Sequence, residues 1–154
     1  MNEQLHFLKE QYLEIIKKAD PLQPAKWGKM NLQQMVEHVT DFFYVSTGKI
    51  QFPVVTPEEY LPKAKAFLLS DKEFRENTKA PAEILGEEPA PLRNESLETA
   101  IIKLQKSLDR FFEYFTANAD AVTTHPVFGP LNFDEWVLLH YKHVRHHAKQ
   151  FGLI

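Results

Sequence analysis

Six of the ten prolines fall between residues 49 and 92, at positions 53, 57, 62, 81, 89 and 91. No long regular element can cross such a stretch, because each proline removes a backbone donor and clashes with the turn before it. The segment from Lys49 to Leu92 therefore splits the chain into two halves, each of which must supply its own long elements. More than 40 residues is long for a connection inside one domain, and connections of that length serve as covers or crossovers. Within it, Pro57-Glu58-Glu59-Tyr60 is expected to start a short helix with Thr56 as cap, and Pro62 and the later prolines to keep such pieces small.

Both flanking halves read as helix. Leu5, Leu8, Tyr12, Ile15, Ile16 and Ala19 follow the three-and-four spacing of an amphipathic helix over residues 3–19, stopped by Asp20-Pro21. Asn31 followed by Gln34 resembles a capping box and opens a second helix that runs to about Thr47 before Gly48. Past the crossover, Leu97, Ala100, Ile101, Leu104, Leu108, Phe111, Phe112 and Phe115 restore the helical period over residues 96–117, with Ser96 as cap. His125-Pro126-Val127-Phe128-Gly129-Pro130 reads as a rigid turn, and Asn132 with Glu135 opens a last helix to about Phe151. No strand alternation is found. An all-α, single-domain four-helix bundle over residues 1–154 is the expected fold, with the long crossover between helices two and three. Short links make helices one and two antiparallel, and likewise three and four. The crossover lets two and three run parallel, so that helix two opposes helix four.

The chain has no cysteine, which excludes disulfides, thiolate nucleophiles and cysteine-held metals, and leaves nitrogen and oxygen as the only metal donors. A net charge of −3 without a long basic run argues against nucleic acid as a partner. No uncharged apolar run approaches the ~20 residues that span a bilayer, and residues 1–6 lack the pattern of a secretory leader, so no membrane partner and a cytoplasmic location are expected.

Four of the seven histidines lie at positions 140, 143, 146 and 147, inside the last helix. At about 100° per residue, His143 and His147 share a face with Trp136, Leu139 and Gln150, a sector that should turn to the core. His38 stands about 10 Å into the second helix, while His143 and His147 lie about 12 and 6 Å before the end of the fourth, at a rise of about 1.5 Å per residue. With those helices antiparallel, the three histidines are level. A metal needs three such donors plus an open position for chemistry. From the pattern alone, a metal site and a set of hydrogen-bonded core histidines account for these residues equally well.

Trp27-Gly28-Lys29-Met30, then Gln34-Met35-Val36-Glu37-His38, then His143 and His147 followed by Gln150 together resemble the DinB/YfiT-like superfamily of metalloenzymes, over nearly the whole chain. His125 to Leu131, Trp136 and the closing Gln150-Phe151-Gly152-Leu153 are similar to an uncharacterised-domain branch of it. The resemblance implies an up-down-down-up bundle, often a homodimer, with nickel or zinc held by His38, His143 and His147. Its characterised members include transferases that use a low-molecular-weight thiol, a thiol-dependent isomerase and presumed metal-dependent hydrolases, all acting on small molecules.

On this reading Gln34 and Asp41, one turn either side of His38, are candidates to orient its free ring nitrogen or a bound water, and His140 and Gln150 are further candidates beside the ligands. His140 is equally suited to a core contact, His146 to the surface beside Arg145 and Lys149, and His6 to solvent. His125, about 18 residues before His143, is expected at the far end of the last helix, structural and not a ligand. Two rival functions remain: a non-catalytic metal-binding or dimerising bundle, and a metal-free histidine pH sensor.

Overall fold

The computed structural model describes residues 2–154, most of them helical. Helix α1 covers residues 3–17 in three continuous pieces: Glu3–His6, a π-helical stretch Phe7–Gln11, and Tyr12–Lys17. The wide turn has a packing consequence. An even helix would spread Phe7, Leu8, Tyr12, Leu13 and Ile16 over about two thirds of its circumference, whereas all five are buried in the core.

Helix α2 (Leu32–Ser46) begins at the expected capping box, where the Asn31 and Gln34 side chains each accept the other residue's backbone N–H at 2.8 Å. In the crossover, a 3-10 turn Glu58–Tyr60 leads into α3 (Leu61–Leu69), and a single helical turn forms α4 (Ala82–Leu85). Helix α5 (Leu97–Ala117) is capped by the Ser96 hydroxyl, which accepts from the Thr99 N–H at 3.1 Å. Helix α6 (Phe133–Gln150) starts at a second capping box, with both Asn132–Glu135 bonds at 3.0 Å.

Three details differ from what the sequence pattern led us to expect. Thr56 does not cap the short helix; its hydroxyl donates to the Val127 carbonyl at 2.7 Å. Pro62 does not confine that helix either, since it falls in the first turn of α3, where the missing N–H has no intrahelical partner to lose. Residues 123–131 are also more than a rigid turn. Strand β1 (Thr123–His125) pairs antiparallel with β2 (Gly129–Leu131), with His125 opposite Gly129. Three-residue strands are too short to show alternation, which is why no strand pattern was visible.

Helix α2 packs against α5 and α6, and α1 against both of the same partners. Hydrogen bonds give the directions. Gln33 near the start of α2 donates to the carbonyl of Asn94, just before α5, and Arg110 near the end of α5 donates to Thr47 just after α2, so α2 and α5 are parallel. Lys26, ahead of α2, donates to the carbonyl of Gln150 at the end of α6, while Thr123, ahead of α6, donates to that of Ser46 at the end of α2. Those two helices are therefore antiparallel. The core between them centres on Trp136, Tyr12, Phe43, Phe111 and Phe151, all fully buried. At about 1.5–3 kcal/mol for each large apolar side chain removed from water, this core is what holds the helices at fixed register. Among the described residues, no helix is long and apolar enough to cross a membrane.

Candidate metal centre

The antiparallel register of α2 and α6 brings His38 opposite His143 and His147. The Nε2 atom of His143 lies 3.0 Å from that of His38 and 3.1 Å from that of His147, and the three ring centres are 4.7 to 4.9 Å apart. All three candidate donor atoms fall within 4.8 Å of one another. Burial holds the rings neutral. It pulls His38 down to about 4, helped by the nearby His146, and it drives His143 and His147 well below the ordinary histidine value, helped by the neighbouring histidines.

One ring's protonation pattern follows from its partners. The Gln150 side-chain amide donates to the Trp27 carbonyl at 2.9 Å, so its Oε1 faces His147 Nδ1 at 2.7 Å and must accept a proton from it. A neutral His147 with its proton on Nδ1 presents a lone pair at Nε2 to the other two rings. Hydrogen bonding alone serves this trio poorly. His143 Nε2 contacts both neighbours, and a single proton there would have to be shared between two acceptors, weakening each bond. A cation among the three lone pairs satisfies all of them. Zinc–nitrogen bonds of about 2.0–2.1 Å in a tetrahedral set place the nitrogens about 3.3 Å apart. The two short separations here lie within a few tenths of an ångström of that spacing. The residues fit a divalent ion.

Gly28 makes the Gln150 contact possible. Its φ is +81°, and a Cβ there would stand 2.7 Å from Gln150 Nε2. The Trp27-Gly28 pair thus shapes the carbonyl that orients the glutamine that orients His147.

The other candidates take varied places. Gln34 is occupied by the capping box and by a bond from its amide to the Ala90 carbonyl at 3.1 Å. Asp41 pairs with Arg93 Nη1 at 2.9 Å and makes no bond to a histidine. His140 is 1% exposed, stacked on Phe43 at 4.1 Å and on Trp136 at 5.3 Å, with an Nε2 that has no hydrogen-bond partner among the described residues. His146 is half-buried between the rings of Trp27 and Phe74, not at the open surface. The crossover supplies Phe74, so reading α6 alone could not anticipate its cover.

The three histidines open into a cavity of about 450 Å³ that runs along the α2–α6 seam. Its walls include Phe42, Leu139, Phe128 and Ile84, with Arg93 at the rim, and residues 77–81 and 84–90 of the crossover close one side. A wider cleft of about 600 Å³ on another face of α6, bordered by Lys142, Arg145 and Glu73, contains none of the three. Glu37 anchors the cover. Its carboxylate, 4% exposed, accepts from Gln33, from the backbone N–H groups of Arg93 and Asn94, and from the Asn94 amide. Burial pushes this carboxyl up, but those hydrogen bonds outweigh it and hold the group below the usual range.

His125 also lines the cavity, which corrects its expected remoteness from the site. It does stand beside the first half of α6, with its ring 5.6 Å from Trp136, but the cavity extends that far. Phe42 links the two ends, with ring centres 5.1 Å from His38, 5.4 Å from His143 and 5.8 Å from His125. Phe42 carried no sequence signal beyond its place on the His38 helix, and Glu37 stood in the segment that carries the resemblance without any role of its own. Arg93 and the crossover residues carried none.

A trio of neutral imidazoles beside an open cavity, His147 buried and His38 and His143 half-buried, is suited to holding a metal ion where a small molecule can reach it. Comparison with known proteins bears on the same residues. No match is found among curated proteins or solved structures. The family model described as the DinB superfamily matches residues 9–151, a span that takes in Gly28, Gln150 and all three histidines of the trio. The chain belongs to the DinB superfamily, a metal-associated group.

Proposed function

We propose that this protein is a metal-dependent enzyme of the hydrolase or thiol-transferase type, acting on a small molecule, with nickel or zinc held by His38, His143 and His147. In this reading the four long helices make an up-down-down-up bundle whose second and fourth members carry the ligands. The convergence of the three Nε2 atoms carries the proposal, because neutral, largely desolvated rings at these separations are best satisfied by a shared cation. A divalent ion with three imidazole ligands lowers the pKa of a bound water or thiol, supplying a nucleophile near neutral pH.

The chain's own residues do the rest. Gln150 holds the His147 proton on Nδ1, fixing ring orientation and leaving Nε2 free to bind. Phe42, Leu139 and Phe128 give the cavity apolar walls that favour displacement of water by an apolar substrate. Glu37 pins the chain at Arg93 and Asn94, just past the crossover residues 77–90 that close one side of the cavity. The open cavity favours an enzyme over a bundle whose ion only locks helices together, which would need no such volume.

Elemental analysis of protein expressed with zinc and nickel supplied should find about one ion per chain. Absence of stoichiometric metal under those conditions would overturn the proposal. Metal-loaded protein should then convert members of a panel of simple esters, amides and thiol–electrophile pairs, with turnover lost on chelation and restored by the same ion.

A further inference from the structure

The motif that the metal site leaves unused is His125-Pro126 with the hairpin around it. Nδ1 of His125 accepts backbone N–H bonds from Val127 at 2.9 Å and Phe128 at 3.3 Å. A ring nitrogen that accepts two amide protons carries none of its own, so the proton of the neutral ring is on Nε2. That atom makes no hydrogen bond among the described residues, yet it is not sealed in the core as His140 Nε2 is. The residue is only 8% exposed and its ring borders the cavity, between Phe42, Phe128 and Trp136.

We infer that His125 is the substrate-binding donor of this cavity, its Nε2–H receiving a carbonyl or carboxylate oxygen on an otherwise apolar small molecule. The inference rests on the proposed function only in taking the cavity as the place where substrate sits.

Four observations support it. The donor is fixed in place: Val55 donates to the Pro126 carbonyl at 2.8 Å and Thr56 to that of Val127 at 2.7 Å, while the Trp136 indole donates to Thr123, on the same strand as His125, at 2.7 Å. A fixed donor needs no reorganisation when ligand arrives. Its surroundings are apolar, so a single hydrogen bond there is stronger than in water and selects strongly for a molecule that can accept it. Burial also holds the ring down to about 3, so it stays a neutral donor across the working range of pH. Phe42 touches His125 on one side and the His38 and His143 rings on the other. A ligand lying along that phenyl ring would hold its acceptor oxygen at one end of the cavity and its reactive group toward the histidines.

The rival explanation is that His125 only folds the turn, and His125→Asn separates the two roles. Asparagine Oδ1 can replace Nδ1 as acceptor for the Val127 and Phe128 amides, but the variant has no donor at the Nε2 position. Long-range proton–nitrogen NMR of the labelled parent at pH 7 should find Nδ1 bare and Nε2 protonated. Benzoate and acetophenone then serve as a charged and a neutral acceptor probe. At least one should bind the parent and move the His125 Nε2 resonance, and His125→Asn should bind it at least about tenfold more weakly, with cobalt affinity unchanged and the variant still folded at the assay temperature. The tighter probe identifies the acceptor as carboxylate or ketone-like carbonyl. A proton on Nδ1, no binding of either probe by the parent, or equal binding by the variant overturns the inference. Failure of the parent to bind cobalt, with the probe results intact, counts against the metal proposal alone.

Discussion

Replacing Gly28 by alanine should weaken metal binding from a position that touches no metal ligand. The new Cβ would meet Gln150 Nε2 at 2.7 Å, in a backbone conformation with φ of +81°. The backbone cost is about 1–2 kcal/mol, because an L side chain in the left-handed region crowds its own carbonyl. The steric conflict is with the end of a flexible side chain, so Gln150 swings aside and gives up its bond to the Trp27 carbonyl, about 1 kcal/mol more. The total of about 2–3 kcal/mol corresponds to a fall in melting temperature of roughly 5–10 °C for a domain of this size. A displaced Gln150 also releases His147 Nδ1, and loss of such a ligand's outer partner typically costs about 10–100-fold in metal affinity. Calorimetric titration of metal-free protein with zinc reads the affinity, and thermal melts read the stability. Gln150→Ala should show the same loss of affinity without the backbone penalty. Adding Gly28→Ala to it should lower stability by about 1–2 kcal/mol with no further loss of affinity. Additive affinity losses in the double variant, or an unchanged zinc affinity in Gly28→Ala, would refute the chain from Gly28 through Gln150 to His147.

Other perturbations test the remaining parts. His143→Ala should abolish stoichiometric metal, since His143 contacts both other rings, while His146→Ala should retain it; elemental analysis after dialysis distinguishes them, and equal losses would mean that the wrong face was chosen. The metal-free protein should lose stability in acid: His38 and His125 titrate at about 4 and 3 when folded but near 6.5 when unfolded, so the unfolded chain binds more protons below that value. Stability should be full above about pH 6.5 and fall by a few kcal/mol towards pH 4 in urea titrations, and a flat profile would refute their neutral burial. Glu37→Gln should destabilise the protein by about 2–4 kcal/mol, because two backbone amides and two side-chain amides lose a charged acceptor. Limited proteolysis should then cut within residues 77–90 sooner than in the parent.

The helices were legible because their signals are local. The capping boxes at Asn31 and Asn132, the Ser96 cap and the three-and-four spacing of apolar residues each act within a few residues of chain, so pattern and outcome agree. The histidine trio was legible for a less local reason. The proline-rich crossover implied an antiparallel α2 and α6, and residue counting at a constant rise then levelled His38 with His143 and His147. The π-helical turn in α1 was not visible, because its cause is the fit of Phe7 and Leu8 into a core built by other helices. The two short strands were missed for want of length, and with them the path that brings His125 to the cavity.

By itself, then, the sequence determined the four long helices, close to where they begin and end, and that nitrogen donors on two of them could meet, since these depend on short-range sterics, capping and a fixed rise per residue. Only the tertiary structure decided what surrounds those donors. The pairing of Asp41 with Arg93, the reach of Gln150 across to Trp27, the cover anchored on Glu37 and the arrival of His125 beside Phe42 all join residues far apart in the chain. Such contacts are set by how packed helices and a proline-bound crossover share space, and no periodicity along the chain encodes that.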